Sequence, residues 1–118
     1  MLTGVHHVSI NVSDLSEAEP FYLEVLGLEA IPRPDLGVAG TWLTTADGTE
    51  IHLIEVPGFE PPKGQHFAFG VTDIDTTRAA LVARGVKVSD PVAIPERGGA
   101  QCFFKDPTGN LIELNQPR

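Results

Sequence analysis

Of the 118 residues, one is cysteine, one tryptophan, one tyrosine and one methionine. The lone cysteine, Cys102, excludes an internal disulfide framework and fits a reducing compartment such as the cytoplasm. Basic residues are scarce: 8 Lys and Arg stand against 16 Asp and Glu, for a formal charge of -8. No Lys/Arg cluster is present to neutralise phosphates, so neither nucleic acid nor an anionic membrane is expected as a partner. No apolar run is long enough to span a bilayer. The start, MLTGVHHVSI, lacks a basic region followed by an apolar stretch, so no signal peptide is expected. What remains is a hydrophobic share of 42%, enough for a real core at a length usual for one domain.

The chain repeats itself. His7-Val-Ser-Ile-Asn-Val-Ser-Asp14 aligns on His66-Phe-Ala-Phe-Gly-Val-Thr-Asp73, 59 residues later, with His over His, Val12 over Val71 and Asp14 over Asp73. A helix signal follows in both copies. Ser16-Glu-Ala-Glu19 reads as a capping box, with Pro20 near the end of the first turn and Gly27 as the stop. In the second copy Asp75 is the expected cap and Gly85 the stop. Three extended stretches come next in each copy: 28–32, 40–44 and 50–56, then 86–92, 101–104 and 110–114. Ala46-Asp47-Gly48 and Asp106-Pro-Thr-Gly109 supply the turn chemistry between the last two strands of each copy. Each half therefore reads strand, helix, three strands. Modules 1–57 and 65–118 are joined by the Pro/Gly-rich linker 57–64 and are expected to form a single α+β domain.

Candidate ligands fall at matching places. Side chains alternate across a strand. His7 therefore opposes Val8, Ile10 and Val12, and His66 opposes Phe67, Phe69 and Val71. Gly48 over Gly109 places Ile51 on Ile112, His52 on Glu113 and Leu53 on Leu114, with His52 and Glu113 again opposite the apolar set. If the modules pair as pseudo-twofold copies, His7, His52, His66 and Glu113 converge, with Ala68 and Gly70 leaving room beside them. Three imidazoles and a carboxylate suit one divalent ion, with zinc, nickel, iron, manganese and cobalt all open. His6 falls on the apolar side over Gln65, and reads as structural.

The stretches HHVSINVSD, FYLEVLGLE, QHFAFGVTD and KDPTGNLIELNQ resemble the vicinal oxygen chelate superfamily over nearly the whole chain. That superfamily includes glyoxalase I, methylmalonyl-CoA epimerase, extradiol dioxygenases, fosfomycin-resistance proteins and bleomycin-binding proteins. The resemblance implies paired βαβββ modules forming a cupped mixed sheet around a metal, with ligand roles on His7, His66 and Glu113. It implies two roles for the place of His52: ligand, as in glyoxalase I and the epimerase, or acid–base group beside the metal, as in the dioxygenases.

The leading expectation is a metal-dependent lyase or isomerase of glyoxalase type. It would act on a small molecule through a chelated enediolate or enolate, with Glu113 or His52 moving the proton. Three rivals stand beside it. One is Fe(II) extradiol ring cleavage, against which Phe103 or Phe104 stands where the dioxygenases carry tyrosine. Another is thiol transfer to an epoxide antibiotic, for which this chain offers few basic groups. The last is a non-enzymatic bleomycin-type binding protein, against which the intact ligand quartet argues. Arg97, in the loop 95–99, is a candidate for holding a substrate carboxylate. Trp42 is a candidate either for the cavity wall or, slightly favoured, for the core. Phe103 and Phe104 alternate, so one faces the cavity and the other the helix. Cys102 has no visible basic partner to activate it. A homodimer with two sites is expected, closed within one chain or between two.

Overall fold

The computed structural model describes residues 1–118. The chain divides into two compact units, Met1–Glu60 and Pro61–Arg118.

In the first unit, β1 (His7–Val12) leads into α1 (Leu15–Pro20), and β2 (Glu29–Ile31), β3 (Gly40–Thr44) and β4 (Glu50–Glu55) follow. The strand order is β1-β4-β3-β2, parallel between β1 and β4 and antiparallel elsewhere. The second unit repeats the plan with β5 (His66–Gly70), α2 (Ile74–Ala83), β6 (Val92–Ala93), β7 (Ala100–Lys105) and β8 (Leu111–Gln116), in the order β5-β8-β7-β6. The expected strand–helix–three-strand modules and the α+β class are therefore present. Neither helix is long and apolar enough to cross a membrane.

The apolar periodicity is spent as alternation requires. Ile10, Val12, Leu43, Ile51 and Leu53 are buried in the first unit, where α1 packs on β4. Cys102, Phe104, Ile112 and Leu114 are their counterparts in the second, where α2 packs on β7 and β8. Tyr22 and Ala18 on the first helical segment, and Ile74 and Leu81 on α2, complete these cores.

The helix starts depart from expectation in the same way in both units. Asp14, not Ser16, caps α1: its carboxylate accepts from the Ser16 amide at 2.9 Å and from the Ser16 hydroxyl at 2.6 Å. Asp73, not Asp75, caps α2 by accepting from the Thr76 amide at 3.1 Å. The choice is made from far along the chain. Glu55 at the end of β4 accepts from the Leu15 amide, and Gln116 at the end of β8 accepts from the Ile74 amide, both at 2.8 Å. Those bonds fix Leu15 and Ile74 as first helical residues and leave the preceding aspartate as the cap.

Pro20 has no amide hydrogen to continue the α-helical ladder. Phe21 donates to Ala18 instead, and residues Phe21–Val25 form a π-helical turn in which Leu26 donates to Phe21 at 3.0 Å.

The stretch 86–92, expected as a strand, forms only the short β6. Arg78 on α2 takes the carbonyls of Val88 at 2.9 Å and Ser89 at 2.8 Å, so those groups are not free for a ladder. Pro91 has no amide to contribute. Ser89 still ties the segment to β7, its amide donating to Phe103 and its hydroxyl accepting from the Phe103 amide.

Asp14, Asp47 and Asp73 have carboxyls held below the usual carboxylate range. The leading causes are the hydrogen bonds from the Ser16 hydroxyl, the Thr45 hydroxyl and the Thr76 amide, respectively. A carboxyl depressed in the folded state stabilises it above the unfolded value, about 4. That contribution disappears as pH falls through the lower folded value. The melting temperature should therefore drop as pH is lowered from about 4. The double variant Asp14→Asn, Asp73→Asn keeps capping side chains but no titration, so its melting temperature should vary less with pH across that window, read by thermal circular dichroism.

Candidate metal and active site

In the first unit the polar face of β4 carries His52, across from Trp42 on β3. The His52 ring is stacked on Trp42 with centroids 4.2 Å apart and planes 8° apart, and on His7 at 4.1 Å and 15°. Because β1 and β3 flank β4, the two neighbours cover opposite faces of the imidazole. His52 is buried at 8% exposure, and its Nε2 lies 2.8 Å from Glu50 Oε1. An ionised carboxylate only accepts, so Nε2 donates. That bond is the main cause holding the Glu50 carboxyl below the usual range. His7 Nδ1 is 2.9 Å from His6 Nδ1. His6 was expected on the apolar side; it lies outside the strand, exposed, with its ring edge-on to His7.

In the second unit His66 Nδ1 lies 3.0 Å from the Gly64 carbonyl, which can only accept. Nδ1 therefore carries hydrogen, and a neutral His66 presents its lone pair at Nε2. That nitrogen stands 3.1 Å from Glu113 Oε1. Glu113 is buried, and its Oε2 accepts from the Asn115 amide group at 2.8 Å. Two lone-pair donors thus face each other with their outer atoms already engaged. Such a contact is favourable only when a proton or a metal ion lies between them. The Gly64 carbonyl behind His66 and Asn115 behind Glu113 are orienting partners of the kind that metal ligands normally have.

The donors come in pairs, His7 with His52 and His66 with Glu113; no group of three or more His, Cys, Asp or Glu is arranged to hold an ion. The donor chemistry of imidazole and carboxylate fits a divalent transition metal.

The remaining candidates divide. Trp42 was slightly favoured for the core; it stands on the His52 side of β3, while its neighbour Leu43 is buried on the other. Phe103 takes the equivalent place on β7, across from Glu113 and edge-on to His66 at 5.4 Å, and Phe104 is the core member. Arg97 is exposed, in a loop where Glu96 adopts φ 65°. Burial pushes the Cys102 thiol up, away from the reactive thiolate. Glu50 and Asn115 were not singled out from sequence. Each lies two residues from a candidate ligand, hence on the same face of its strand.

Known proteins share this arrangement of elements. A glyoxalase family protein of Bacillus anthracis superposes with a TM-score of 0.88 at 32% identity, covering 100% of this chain and 98% of that one. Glutathione transferase FosA of Serratia marcescens is 30% identical, over 98% of this chain and 82% of its own length. Human mitochondrial methylmalonyl-CoA epimerase is 29% identical, over 98% and 74%. A profile of the Glyoxalase/Bleomycin resistance protein/Dioxygenase superfamily matches residues 4–114, and the chain belongs to that superfamily.

Proposed function

We propose that this protein is a metal-dependent lyase or isomerase of glyoxalase type, with His7, His52, His66 and Glu113 as its metal ligands. The observation that carries the reading is the 3.1 Å approach of His66 Nε2 to Glu113 Oε1, each held from behind by a partner that leaves the facing atoms as lone-pair donors. The ion, when bound, supplies Lewis acidity toward two neighbouring oxygens of a small substrate, stabilising the charge left when an adjacent carbon loses its proton. Glu113 or His52 is the group that moves that proton. Trp42 and Phe103 flank them as apolar walls, and Arg97 offers a guanidinium for a substrate carboxylate.

Relatedness to an epimerase supports proton transfer at carbon. Against ring cleavage, Phe103 brings no hydroxyl to the side of His66, where the dioxygenase reading needs a tyrosine. Relatedness to FosA keeps thiol transfer as the second reading, which the scarcity of Lys and Arg opposes. The proposal includes a homodimer with two sites, supported by β1 and β5, each the end strand of its sheet and so a template for pairing. It also includes a cytoplasmic location, supported by the single buried thiol.

The test is isomerisation of a hemithioacetal by the zinc-, nickel- or manganese-loaded protein, run beside oxygen uptake on catechols by the Fe(II)-loaded protein. Isomerisation is expected, with Glu113→Ala slower by about 100-fold or more. Oxygen uptake on catechols without isomerisation would overturn the reading in favour of dioxygenase chemistry.

A further inference from the structure

The first unit holds an ionisable group that the proposed reaction leaves without a task. Glu50 begins β4, directly across from His7 on β1, and its side chain is 24% exposed. Its hydrogen bond goes to one imidazole, His52 Nε2 at 2.8 Å. His52 has few remaining freedoms. Trp42 and His7 cover its two faces, which sets the ring plane. Rotation within that plane is set by Glu50.

We propose that Glu50 is the positioning residue of His52: it holds the Nε2 hydrogen, so that Nδ1 is the nitrogen His52 turns to the divalent ion. The inference rests on the metal reading above and deepens it. A carboxylate cannot donate, so a neutral His52 must spend its one hydrogen on Glu50, and its in-plane lone pair is then on Nδ1. His66 is held in the opposite sense. Its Nδ1 hydrogen goes to the Gly64 carbonyl and Nε2 faces outward. The two histidines thus present different nitrogens, each chosen by the acceptor behind it. His52 is thereby assigned to the ion, which leaves Glu113 as the group that moves the proton.

Zinc affinity, read by competition with a chromophoric chelator, tests this on the full chain in four forms: wild type, Glu50→Ala, Glu50→Gln and Glu60→Ala. Glu60 is an exposed carboxylate of the same unit and controls for lost charge alone. Glu50→Ala should weaken zinc by about 10- to 100-fold, the usual effect of removing a ligand's partner. Glu50→Gln keeps an acceptor oxygen for Nε2–H and should recover most of that loss. Glu60→Ala should match wild type. Circular dichroism confirms that each variant is folded. In zinc-loaded wild type, long-range ¹⁵N–¹H correlation spectra should show the His52 hydrogen on Nε2 and the metal on Nδ1. Equal affinity of Glu50→Ala and Glu60→Ala, equal loss in Glu50→Gln and Glu50→Ala, or zinc on His52 Nε2 would each overturn the positioning role while leaving the metal site standing. Wild type that binds no zinc would overturn the metal reading itself, and this inference with it.

Discussion

Protein purified without added metal is expected to carry a stoichiometric divalent ion, and Glu113→Ala and His66→Ala are expected to lose it. Elemental analysis reads the outcome directly. Glu113 is 7% exposed and carries a charge that burial disfavours unless it is paired. Asn115 satisfies one oxygen with a neutral donor, and the other faces His66. Without an ion, a proton must lie between the two groups to make that contact favourable. With one, both groups coordinate and no proton is needed. Metal binding should therefore compete with protons and weaken as pH falls. Removing Glu113 takes away the anionic member of the set, so the affinity loss should exceed that from any one histidine. His7→Ala should also lower metal content, and it removes the stacking neighbour of His52. Metal content unchanged in all three variants would move the ligands elsewhere in the chain.

The repeat was legible because its signals are local. His7 and His66 open equivalent strands, and alternation alone separates them from Ile10 and Phe69. Gly40–Thr44 was read with the bounds that β3 has. Contacts between distant segments were not legible. Ser16 and Asp14 are both good caps, and the decision rests with Glu55, 40 residues away from Leu15. The shortening of the strand expected at 86–92 is set by Arg78, whose guanidinium reaches two carbonyls of that stretch. Trp42 was within reach of the sequence. Leu43 beside it is the apolar residue that β3 buries, so alternation turns the indole to the histidine side. Glu50 and Asn115 carry no ligand signal of their own in the sequence; what marks them is a hydrogen bond to His52 or to Glu113, which only the fold supplies.

Ile112→Ala is expected to destabilise the protein by about 2–5 kcal/mol, a large part of the roughly 5–15 kcal/mol available to a domain of this size. Ile112 is fully buried in β8, the strand flanked by β5 and β7. Its in-register neighbours are Phe67 and Phe104, two large side chains on stiff strands. Rigid aromatic neighbours do not collapse into the space that the truncation opens, so the cavity penalty adds to the lost transfer energy. Ile112→Val removes one methylene and should cost about 0.5–1.5 kcal/mol. The effect reaches the site, because Glu113 is the next residue and projects from the opposite face of the same strand. A loosened β8 lets the carboxylate drift from His66, so metal affinity should fall along with stability in Ile112→Ala and much less in Ile112→Val. Urea unfolding, with and without saturating zinc, measures both at once. Zinc should raise the unfolding midpoint of wild type by more than that of Ile112→Ala, since the stabilisation a ligand gives grows with the logarithm of its affinity for the folded state. An equal zinc-induced shift in the two proteins would mean that the ligand pair is held by its own hydrogen bonds to Gly64 and Asn115, independently of the core beneath it.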